Sequence, residues 1–265
     1  MYIYKILKPI LGFIYKLWYN PKIIGKENIK DEGSLVVVGN HYNIMDQCNI
    51  IIPCKRVIHY MAKDEYFKSN KTRWFFKSMG CIPVDRTKKD ESAKKSALEV
   101  LNKNEVLGLF PEGTRNALKD DKIKNIYKKY NIKEDYNIFK KKLKKIRTSQ
   151  ILYLEELIDN NKINASEFID NIYNPDLYLK KLVKDKIITN RDYQNSLLLP
   201  FKFGAVSLAS KTDSYILPFA IKGDYKFRSK NLEIRIGKCY KIKDDLEKEN
   251  KKLRKKIIDL LMEDE

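Results

Sequence analysis

The pattern of apolar and polar positions divides the chain into short apolar runs and longer amphipathic stretches. Leu35–Val38 is β-branched and bounded by Gly33 and Gly39, which is typical of a buried strand. Val106–Phe110 is a second run of this kind. Because such runs alternate with helical stretches, the sequence predicts an α/β fold with a mixed, mostly parallel sheet flanked by helices.

The same pattern predicts the other elements of the α/β part. Asn43 is a reasonable N-cap for a helix that ends before Pro53. Apolar residues recur at helical spacing after Asp90. The predicted strands are 23–24, 56–61, 80–86 and 216–220, and the predicted helices are 44–52, 63–67, 72–79 and 92–103.

The first twenty residues are apolar and aromatic, but three lysines and Pro9 interrupt them. A membrane-spanning helix requires about 20 apolar residues, and no small-residue cleavage site of a signal peptide follows. A basic helix that carries Trp18 and several tyrosines favours the membrane interface. We therefore predict that residues 1–22 form an amphipathic membrane helix, peripheral or shallowly inserted on the cytoplasmic face of the cell membrane. The alternative is a helix that only packs on the domain.

Residues 116–199 form a stretch far longer than an ordinary connection. It is rich in lysine and carries helical patches at 139–146, 151–158, 167–172 and, after Pro175, 177–183, which predicts an inserted helical subdomain of about four helices. Such a subdomain could bind an acidic carrier protein, a membrane surface or a second subunit. The alternative is a tolerated insertion without such a role. The predicted domains are thus 1–22, then 23–115 with 200–243 as the α/β domain, 116–199, and a C-terminal helix at 244–265.

The composition is that of a globular and strongly basic protein. Of 265 residues, 43% are hydrophobic, and the formal net charge is +19. This charge favours anionic partners such as a phosphate-bearing substrate, an acidic lipid surface or nucleic acid, although a general bias toward Lys, Ile and Asn would also produce it. The four cysteines, at 48, 54, 81 and 239, show no metal-ligand or C-x-x-C spacing, so we expect reduced thiols and no metal site.

His41 is the first candidate for chemistry, because it follows a predicted strand and Asp46 comes five positions later. On one continuous helix, residues five apart point about 140° away from each other. The two side chains can meet if His41 lies in the loop and Asp46 lies in the first turns of the next helix. The carboxylate would then orient the imidazole as a general base, with the nucleophile supplied by the substrate. The alternative is a histidine whose hydrogen bonds are satisfied by a local turn.

Two more strand ends carry unusual polar residues. Glu112 and Arg115 follow the strand that ends near Phe110, and Arg86 ends another. Because the ends of parallel strands gather at one edge of a sheet, these side chains could share one site with His41. Gly113 allows a tight turn there, and a guanidinium suits phosphate oxygens. Singly, such basic residues are more often solvated surface charges.

These blocks together resemble the glycerolipid acyltransferases of the 1-acylglycerol-3-phosphate type. The His-x4-Asp block of that family matches His41 to Asp46, and its Phe-Pro-Glu-Gly-Thr-Arg block is matched in full by residues 110–115. Its second block matches residues 80–86, and an apolar strand with a central proline matches 216–220. Residues 201–205 are similar to another recurring family segment. The resemblance covers residues 23–115 and 200–243, and the segment between them is the main departure.

The resemblance implies transfer of an acyl chain from acyl-CoA or acyl carrier protein to the sn-2 hydroxyl of 1-acylglycerol 3-phosphate, giving phosphatidic acid. It implies no cofactor and no metal. The implied partners are the lysophospholipid, the thioester donor, an anionic membrane surface and, as a further candidate, acyl carrier protein, with no nucleic acid. The implied site residues are His41 and Asp46 for catalysis, and Arg86, Glu112, Gly113, Thr114, Arg115 and Lys202 for substrate binding.

Other functions stay open at the level of the sequence. Within the class, the acceptor could be glycerol 3-phosphate, another lysophospholipid or a lyso-aminolipid. A basic nucleic-acid-binding protein would explain the charge but not residues 110–115. A catalytically silent lipid-binding relative is disfavoured because His41 and Asp46 are both present.

Overall fold

A computed structural model describes residues 2–85, 87, 90–228 and 231–263 of the chain. The chain separates into two compact units. The first comprises Met1–Gly113 and Phe201–Glu265, and the second is Thr114–Pro200. The dividing residues differ slightly from the predicted ones, and the N- and C-terminal helices belong to the first unit rather than standing apart from it.

The first unit is built on a seven-stranded sheet in the described part of the chain. Its strands are β1 Lys22–Ile24, β2 Leu35–Gly39, β3 Ile58–Lys63, β4 Ile82–Val84, β5 Val106–Leu109, β6 Tyr215–Lys222 and β7 Glu233–Ile236. They lie in the order β1-β7-β6-β2-β5-β3-β4. All neighbouring strands are parallel except β6 and β7, which are antiparallel. The predicted mixed, mostly parallel sheet is therefore confirmed.

Helices flank this sheet and also make up the second unit. In the first unit, helix α4 (Glu91–Asn102) packs on β4 and β5, and helix α12 (Leu246–Met262) packs on β6 and β7. Before the second unit come α1 Tyr2–Tyr19, α2 Cys48–Ile51, α3 Asn70–Ser78 and α4 Glu91–Asn102. The second unit holds α5 Asp120–Lys129, α6 Tyr136–Leu143, α7 Thr148–Asp159, α8 Ala165–Asn171, α9 Pro175–Lys184 and α10 Asn190–Ser196. After it come α11 Gly204–Lys211 and α12 Leu246–Met262.

The helix predicted at 44–52 is wrong in extent, since only α2 is helical. The preceding residues form tight turns because the Asp46 carboxylate accepts hydrogen bonds from the backbone N–H groups of Tyr42 and Asn43. Asn43 does not cap a helix; its side-chain oxygen accepts a hydrogen bond from the N–H of Met45. The backbone of residues 42–46 therefore turns about the Asp46 carboxylate, and α2 begins only after these turns.

Pro218 lies in the middle of β6, where a proline is unusual because it cannot donate a ladder hydrogen bond. Its carbonyl accepts from the N–H of Gly237, while regular β6–β7 pairing begins one residue later at Phe219. The N–H that Pro218 lacks is therefore at a position where the regular β6–β7 hydrogen-bond ladder has not yet begun. On its other side, β6 keeps its parallel register with β2.

The second unit contains six helices among the described residues, whereas the sequence predicted about four. The prediction missed α5 and α10, and it began α9 after Pro175 although this proline is the first residue of the helix. A proline at the first helical position loses no hydrogen bond, because that N–H has no partner within the helix. The core of this unit is apolar and includes the fully buried Phe139 and Phe168.

The α7–α8 and α9–α10 pairs are two copies of one helical hairpin, 25 positions apart. In each copy a residue with positive φ ends the first helix, Asn161 in one and Lys186 in the other. A capping box then starts the second helix, on Asn164 in the first copy and on Thr189 in the second. Buried pairs at the same offset are Leu154 and Leu179, Leu157 and Leu182, Ile163 and Ile188, and Phe168 and Tyr193. The second unit is thus built partly from an internal repeat that the apolar pattern alone did not reveal.

The first helix, α1, has an unusual distribution of apolar residues. Its inward positions include the buried Tyr4 and Tyr15. Its outward face exposes large apolar side chains, including Ile6 at 62%, Phe13 at 69% and Trp18 at 52%. Along the described ranges, no helix is both long enough and apolar enough to pass through a membrane.

Candidate active site

The candidate site forms where the adjacent parallel strands β2 and β5 end. Val38 pairs with Leu109, so the residues that follow the two strands leave the sheet side by side. His41 follows β2, and Glu112 follows β5. The carboxyl ends of parallel strands are where open α/β sheets bind ligands. The structure therefore brings together two of the strand ends that the sequence singled out.

His41 and Asp46 form a hydrogen-bonded pair. The distance between the imidazole Nδ1 and Asp46 Oδ2 is 2.8 Å, and the carboxylate side chain has no exposed surface. The backbone N–H groups of Tyr42 and Asn43 also donate to Oδ2, at 2.6 and 2.8 Å. Asp46 lies in the turn before α2 rather than on a helix, which corrects the predicted position. With Nδ1 directed at Asp46, the Nε2 atom is the nitrogen that can take a proton from a ligand.

Glu112 and Phe110 support His41 from the end of β5. The buried Glu112 carboxylate accepts a hydrogen bond of 2.8 Å from the backbone N–H of His41. The rings of Phe110 and His41 stack with 4.2 Å between centroids and 13° between planes. These two contacts fix both the backbone and the ring plane of His41. In this structure Glu112 thus orients the histidine directly, a contact that the sequence did not predict.

Asn40 anchors the His41 loop to β6, the neighbour of β2 in the sheet. Its side-chain NH₂ donates to the carbonyl of Ile221, and its side-chain oxygen accepts from the N–H of Ile221, at 3.0 and 2.8 Å. Asn40 is buried, with 3% of its surface exposed. This two-point contact with β6 holds the start of the His41 loop in place.

Gly113 and Lys202 lie against each other next to Glu112. Gly113 has φ +70°, and a Cβ built on it would come within 2.8 Å of Lys202 Cε. The backbone N–H of Lys202 donates to the carbonyl of Pro111 at 2.8 Å. The lysine side chain therefore crosses the tight turn at Gly113, which puts a positive charge beside the residue that follows Glu112.

The other predicted substrate-binding residues are Arg86, Thr114 and Arg115, and the structure does not test their roles. Arg86 lies outside the described residues. Thr114 and Arg115 are the first two residues of the second unit, and Arg115 is exposed. Their roles stay predictions.

Three residues that the sequence pattern did not indicate lie around Asp46 and Glu112. Tyr225, in the loop after β6, donates from its hydroxyl to Asp46 Oδ1 at 2.6 Å. Asn49 is fully buried beside it, and a polar residue within the apolar stretch 44–52 was a signal that could have been used. Arg254 on α12 lies near Glu112: burial lowers the pKa of this guanidinium, and the charge of Glu112 opposes that shift. Tyr225 is 179 positions from Asp46, so no local pattern could have indicated it.

Cys48 and Cys81 are poorly suited to act as nucleophiles. Burial and the Asp46 charge raise the pKa of Cys48 to about 11, and burial raises the pKa of Cys81 to about 11. In the described ranges, no cluster of three or more His, Cys, Asp or Glu side chains is arranged to hold a metal ion.

The fold and the site define the class to which the molecule belongs: an α/β protein with an oriented histidine–carboxylate pair at the ends of parallel strands. A sequence model of the Acyltransferase family matches residues 20–222. This range is well over half of the chain, so the protein belongs to the Acyltransferase family.

Two curated relatives share part of the sequence. The chain is 32% identical over 117 residues to a 1-acyl-sn-glycerol-3-phosphate acyltransferase of Bacillus subtilis (strain 168), covering 43% of this chain and 58% of the relative. It is 31% identical over 115 residues to an enzyme of the same name from Borreliella burgdorferi, covering 42% of this chain and 44% of the relative. The matched region thus spans about half the length of these relatives.

A solved structure shares the fold. The 1-acyl-sn-glycerophosphate (LPA) acyltransferase PlsC from Thermotoga maritima superimposes with a TM-score of 0.57 at 17% sequence identity, covering 97% of this chain and 78% of the other. At this identity the likeness concerns the fold alone.

Proposed function

We propose that the protein is an O-acyltransferase that moves an acyl chain from a thioester donor to the sn-2 hydroxyl of 1-acylglycerol 3-phosphate, giving phosphatidic acid. The observation that carries this proposal is the His41–Asp46 pair, with 2.8 Å between Nδ1 and Oδ2, in a member of the Acyltransferase family. The two partial relatives named for this reaction support the choice of acceptor.

In the proposed reaction, His41 acts as a general base. Its Nε2 atom takes the proton of the acceptor hydroxyl while the oxygen attacks the thioester carbonyl carbon. The new C–O bond forms, the C–S bond breaks, and the leaving thiolate receives the proton from the imidazolium. Asp46 keeps the proton on Nδ1 and stabilises the imidazolium, as the carboxylate of a catalytic triad does. No acyl-enzyme is needed, because the acceptor hydroxyl is itself the nucleophile.

The acceptor phosphate is proposed to bind basic groups next to this pair. Lys202 supports this directly, since its side chain crosses the Gly113 turn. The family resemblance assigns Arg86 and Arg115 to the phosphate and Thr114 to substrate binding. Glu112 is proposed to orient His41 by accepting a hydrogen bond from the backbone N–H of His41, rather than to bind the substrate.

The donor is proposed to be acyl-CoA or acyl carrier protein, both of which are anionic. Residues 119–147 of the second unit carry twelve Lys and Arg against four Asp and Glu, whereas residues 148–200 carry six against eight. The basic charge of this unit is therefore concentrated in its α5–α6 part, which suits an acidic donor. Comparing the same acyl chain on the two donors measures the preference directly.

We also propose that α1 lies on an anionic membrane surface on the cytoplasmic side. Its outward apolar face is large, with Phe13 and Ile6 both more than half exposed. The net charge of +19 favours an anionic leaflet.

The test is acyl transfer by the purified protein, with His41→Ala compared with His59→Gln. His59 is the other histidine of the chain. It lies on β3, and its Nδ1 atom hydrogen-bonds with the carbonyl of Gly80, in the turn before β4. We expect His41→Ala to lose about 10²- to 10⁴-fold in kcat, the usual contribution of a general base, and His59→Gln to stay active. Full activity of His41→Ala would show that the assigned base is wrong.

A panel of acceptors completes this test. Phosphatidic acid from 1-acylglycerol 3-phosphate is the expected main product by mass spectrometry. Faster acylation of glycerol 3-phosphate, another lysophospholipid or a lyso-aminolipid would replace the proposed acceptor and leave the chemistry unchanged.

Lys202→Ala is expected to raise KM for the phosphate-bearing acceptor, with Lys211→Ala on α11 as the charge-matched control.

A further inference from the structure

The loop that follows β6 connects the candidate active site with the first helix. Tyr225 in this loop donates a hydrogen bond of 2.6 Å to Asp46 Oδ1, the carboxylate oxygen that does not face His41. It is the side-chain donor to that oxygen in the described structure, whereas Oδ2 is held by the histidine and two backbone N–H groups. Tyr225 therefore contributes to fixing the rotation of the carboxylate.

The hydrogen bonds continue from Tyr225 to α1. The side-chain NH₂ of Asn49 donates to the hydroxyl oxygen of Tyr225. The Tyr15 hydroxyl donates to Asn49 Oδ1 at 2.6 Å. Tyr15 is 4% exposed and Asn49 has no exposed surface, so water does not replace these partners easily. The result is a chain of two buried side chains and one half-buried side chain, named here the tyrosine–asparagine chain: Tyr15, Asn49 and Tyr225.

The donors and acceptors of this chain are consistent with one another. Burial and the charge of Asp46 raise the pKa of Tyr225 well above its usual value, so the hydroxyl stays protonated. Burial also raises the pKa of Tyr15. Each hydroxyl has a single proton to donate, and Asn49 can accept from one tyrosine and donate to the other in one amide orientation. The amide orientation is therefore set by its two neighbours.

The same loop also contacts α1 directly. The backbone N–H of Arg228 donates to the carbonyl of Trp18 at 2.8 Å. The Trp18 ring meets the Phe227 ring edge-on with 5.0 Å between centroids. Phe227 is 59% exposed beside the exposed Trp18, so the loop extends the outward apolar face of α1. A surface that binds α1 would therefore also fix this loop.

We propose that Tyr225 is a positioning residue that holds the Asp46 carboxylate in the orientation in which it hydrogen-bonds His41. Binding of α1 to a lipid surface would then stabilise this hydrogen-bonded geometry of the pair through Tyr15 and Asn49. A bilayer can do so because it binds better to the state in which α1 and the loop are docked, and a ligand shifts an equilibrium toward the state that it prefers. The inference deepens the proposed function and rests on it.

The first test uses Tyr225→Phe, which removes the hydroxyl and keeps the ring. Losing a hydrogen bond to a charged group should lower kcat by about 10- to 100-fold, with KM changed by less than about threefold. Tyr19→Phe is the matched control, because it removes a hydroxyl one turn after Tyr15 on the same helix. A kcat of Tyr225→Phe equal to that of the wild type would overturn the positioning role.

A second readout needs no turnover. The chain has two histidines, so NMR of ¹⁵N-histidine protein gives two imidazole spin systems, which His59→Gln assigns. In Tyr225→Phe, we expect the Nδ1–H signal of His41 to broaden or move upfield, with the signals of His59 unchanged. If the wild type is inactive while this signal changes, the proposed function fails and the positioning inference stands. If transfer depends on His41 while the signal and kcat are unchanged in Tyr225→Phe, only the inference fails.

The coupling to α1 is tested with a short-chain acceptor and donor that stay in solution. Vesicles with an anionic lipid should raise kcat of the wild type, and this stimulation should be lost in Tyr15→Phe, which still sediments with the vesicles. Circular dichroism at the assay temperature shows whether the variants are folded. Stimulation of Tyr15→Phe equal to that of the wild type would overturn the coupling. Should Tyr15→Phe fail to fold, Trp18→Leu and Phe227→Leu, which loosen the loop contact, provide the same comparison.

Discussion

At the scale of single residues, the carboxylate of Asp46 is the most constrained group of the site. It accepts hydrogen bonds from His41, from the backbone of Tyr42 and Asn43, and from Tyr225. A buried carboxylate needs such donors, because an uncompensated buried charge is very costly. The same donors that stabilise the charge also fix its orientation toward the imidazole. Stability and the proposed catalysis therefore depend on one set of contacts.

Gly113 allows a prediction at this scale. Gly113→Ala would place a side chain at φ +70° and its Cβ within 2.8 Å of Lys202 Cε. We expect a loss of about 1–3 kcal/mol in the free energy of unfolding, from strained backbone, together with reduced acyl transfer. Urea denaturation and the transfer assay measure the two effects.

The control for this substitution is Gly204→Ala. Gly204 begins α11, and a Cβ there meets nothing within 4 Å. Alanine in a helix is expected to leave stability unchanged or raise it by up to about 1 kcal/mol. Equal stability of the two variants would contradict the role given to the Gly113 turn.

At the scale of elements, helix α4 shows how one side chain can start a helix. The Asp90 carboxylate accepts hydrogen bonds from the backbone N–H of Ala93 and from the N–H of Asp85 before the helix. It also accepts from the hydroxyl of Ser92. These bonds, that of Ala93 first, lower the pKa of Asp90 to about 2.

This shift predicts a pH dependence of stability. Because the pKa is lower in the folded chain than the usual value of about 3.9, the charged Asp90 stabilises the fold above about pH 4, and the contribution is lost as the pH falls toward 2. The melting temperature of Asp90→Asn should lie below that of the wild type at pH 6, and the difference should shrink by pH 3. Asp170→Asn on α8 controls for the loss of one negative charge. A difference that stays constant with pH would contradict the assignment.

The elements also show which features a sequence pattern can predict. The buried strands β2 and β5 were predicted almost to the residue, because fully buried strands are continuous apolar runs. Helix α2 was predicted too long, because the apolar pattern of residues 44–52 gave no sign of the Asp46 carboxylate drawing the backbone into turns. The repeat of α7–α8 in α9–α10 was missed, since its capping boxes use different residues, Asn164 in one and Thr189 in the other.

At the scale of the whole molecule, the proposed membrane binding has two contributions, net charge and the apolar face of α1. The net charge of +19 would attract the chain to an anionic surface over a distance set by salt, whereas buried apolar area would hold it there independently of salt. The two contributions should separate in a binding experiment.

We predict that sedimentation with anionic vesicles decreases when NaCl is raised from about 0.1 M to about 1 M, which shortens the Debye length from about 10 Å to about 3 Å. Phe13→Asn, on the outward face of α1, should weaken binding at both salt concentrations. Leu177→Asn on α9 is the control, because Leu177 is 70% exposed but lies in the second unit. Equal binding of the Phe13 and Leu177 variants would contradict the proposed placement of α1 at the membrane.

The sequence by itself determined the mostly parallel sheet, the position of His41 at a strand end and the motif of residues 110–115, because apolar runs and short motifs are local properties of a chain. Only the tertiary structure decided that Glu112 holds the backbone of His41, that Phe110 stacks on its ring, and that Tyr225 donates to Asp46. These contacts join residues far apart in the sequence, and they depend on the order in which the strands lie side by side. A pattern of single positions carries no information about that order, so the support of the site became visible only in the folded chain.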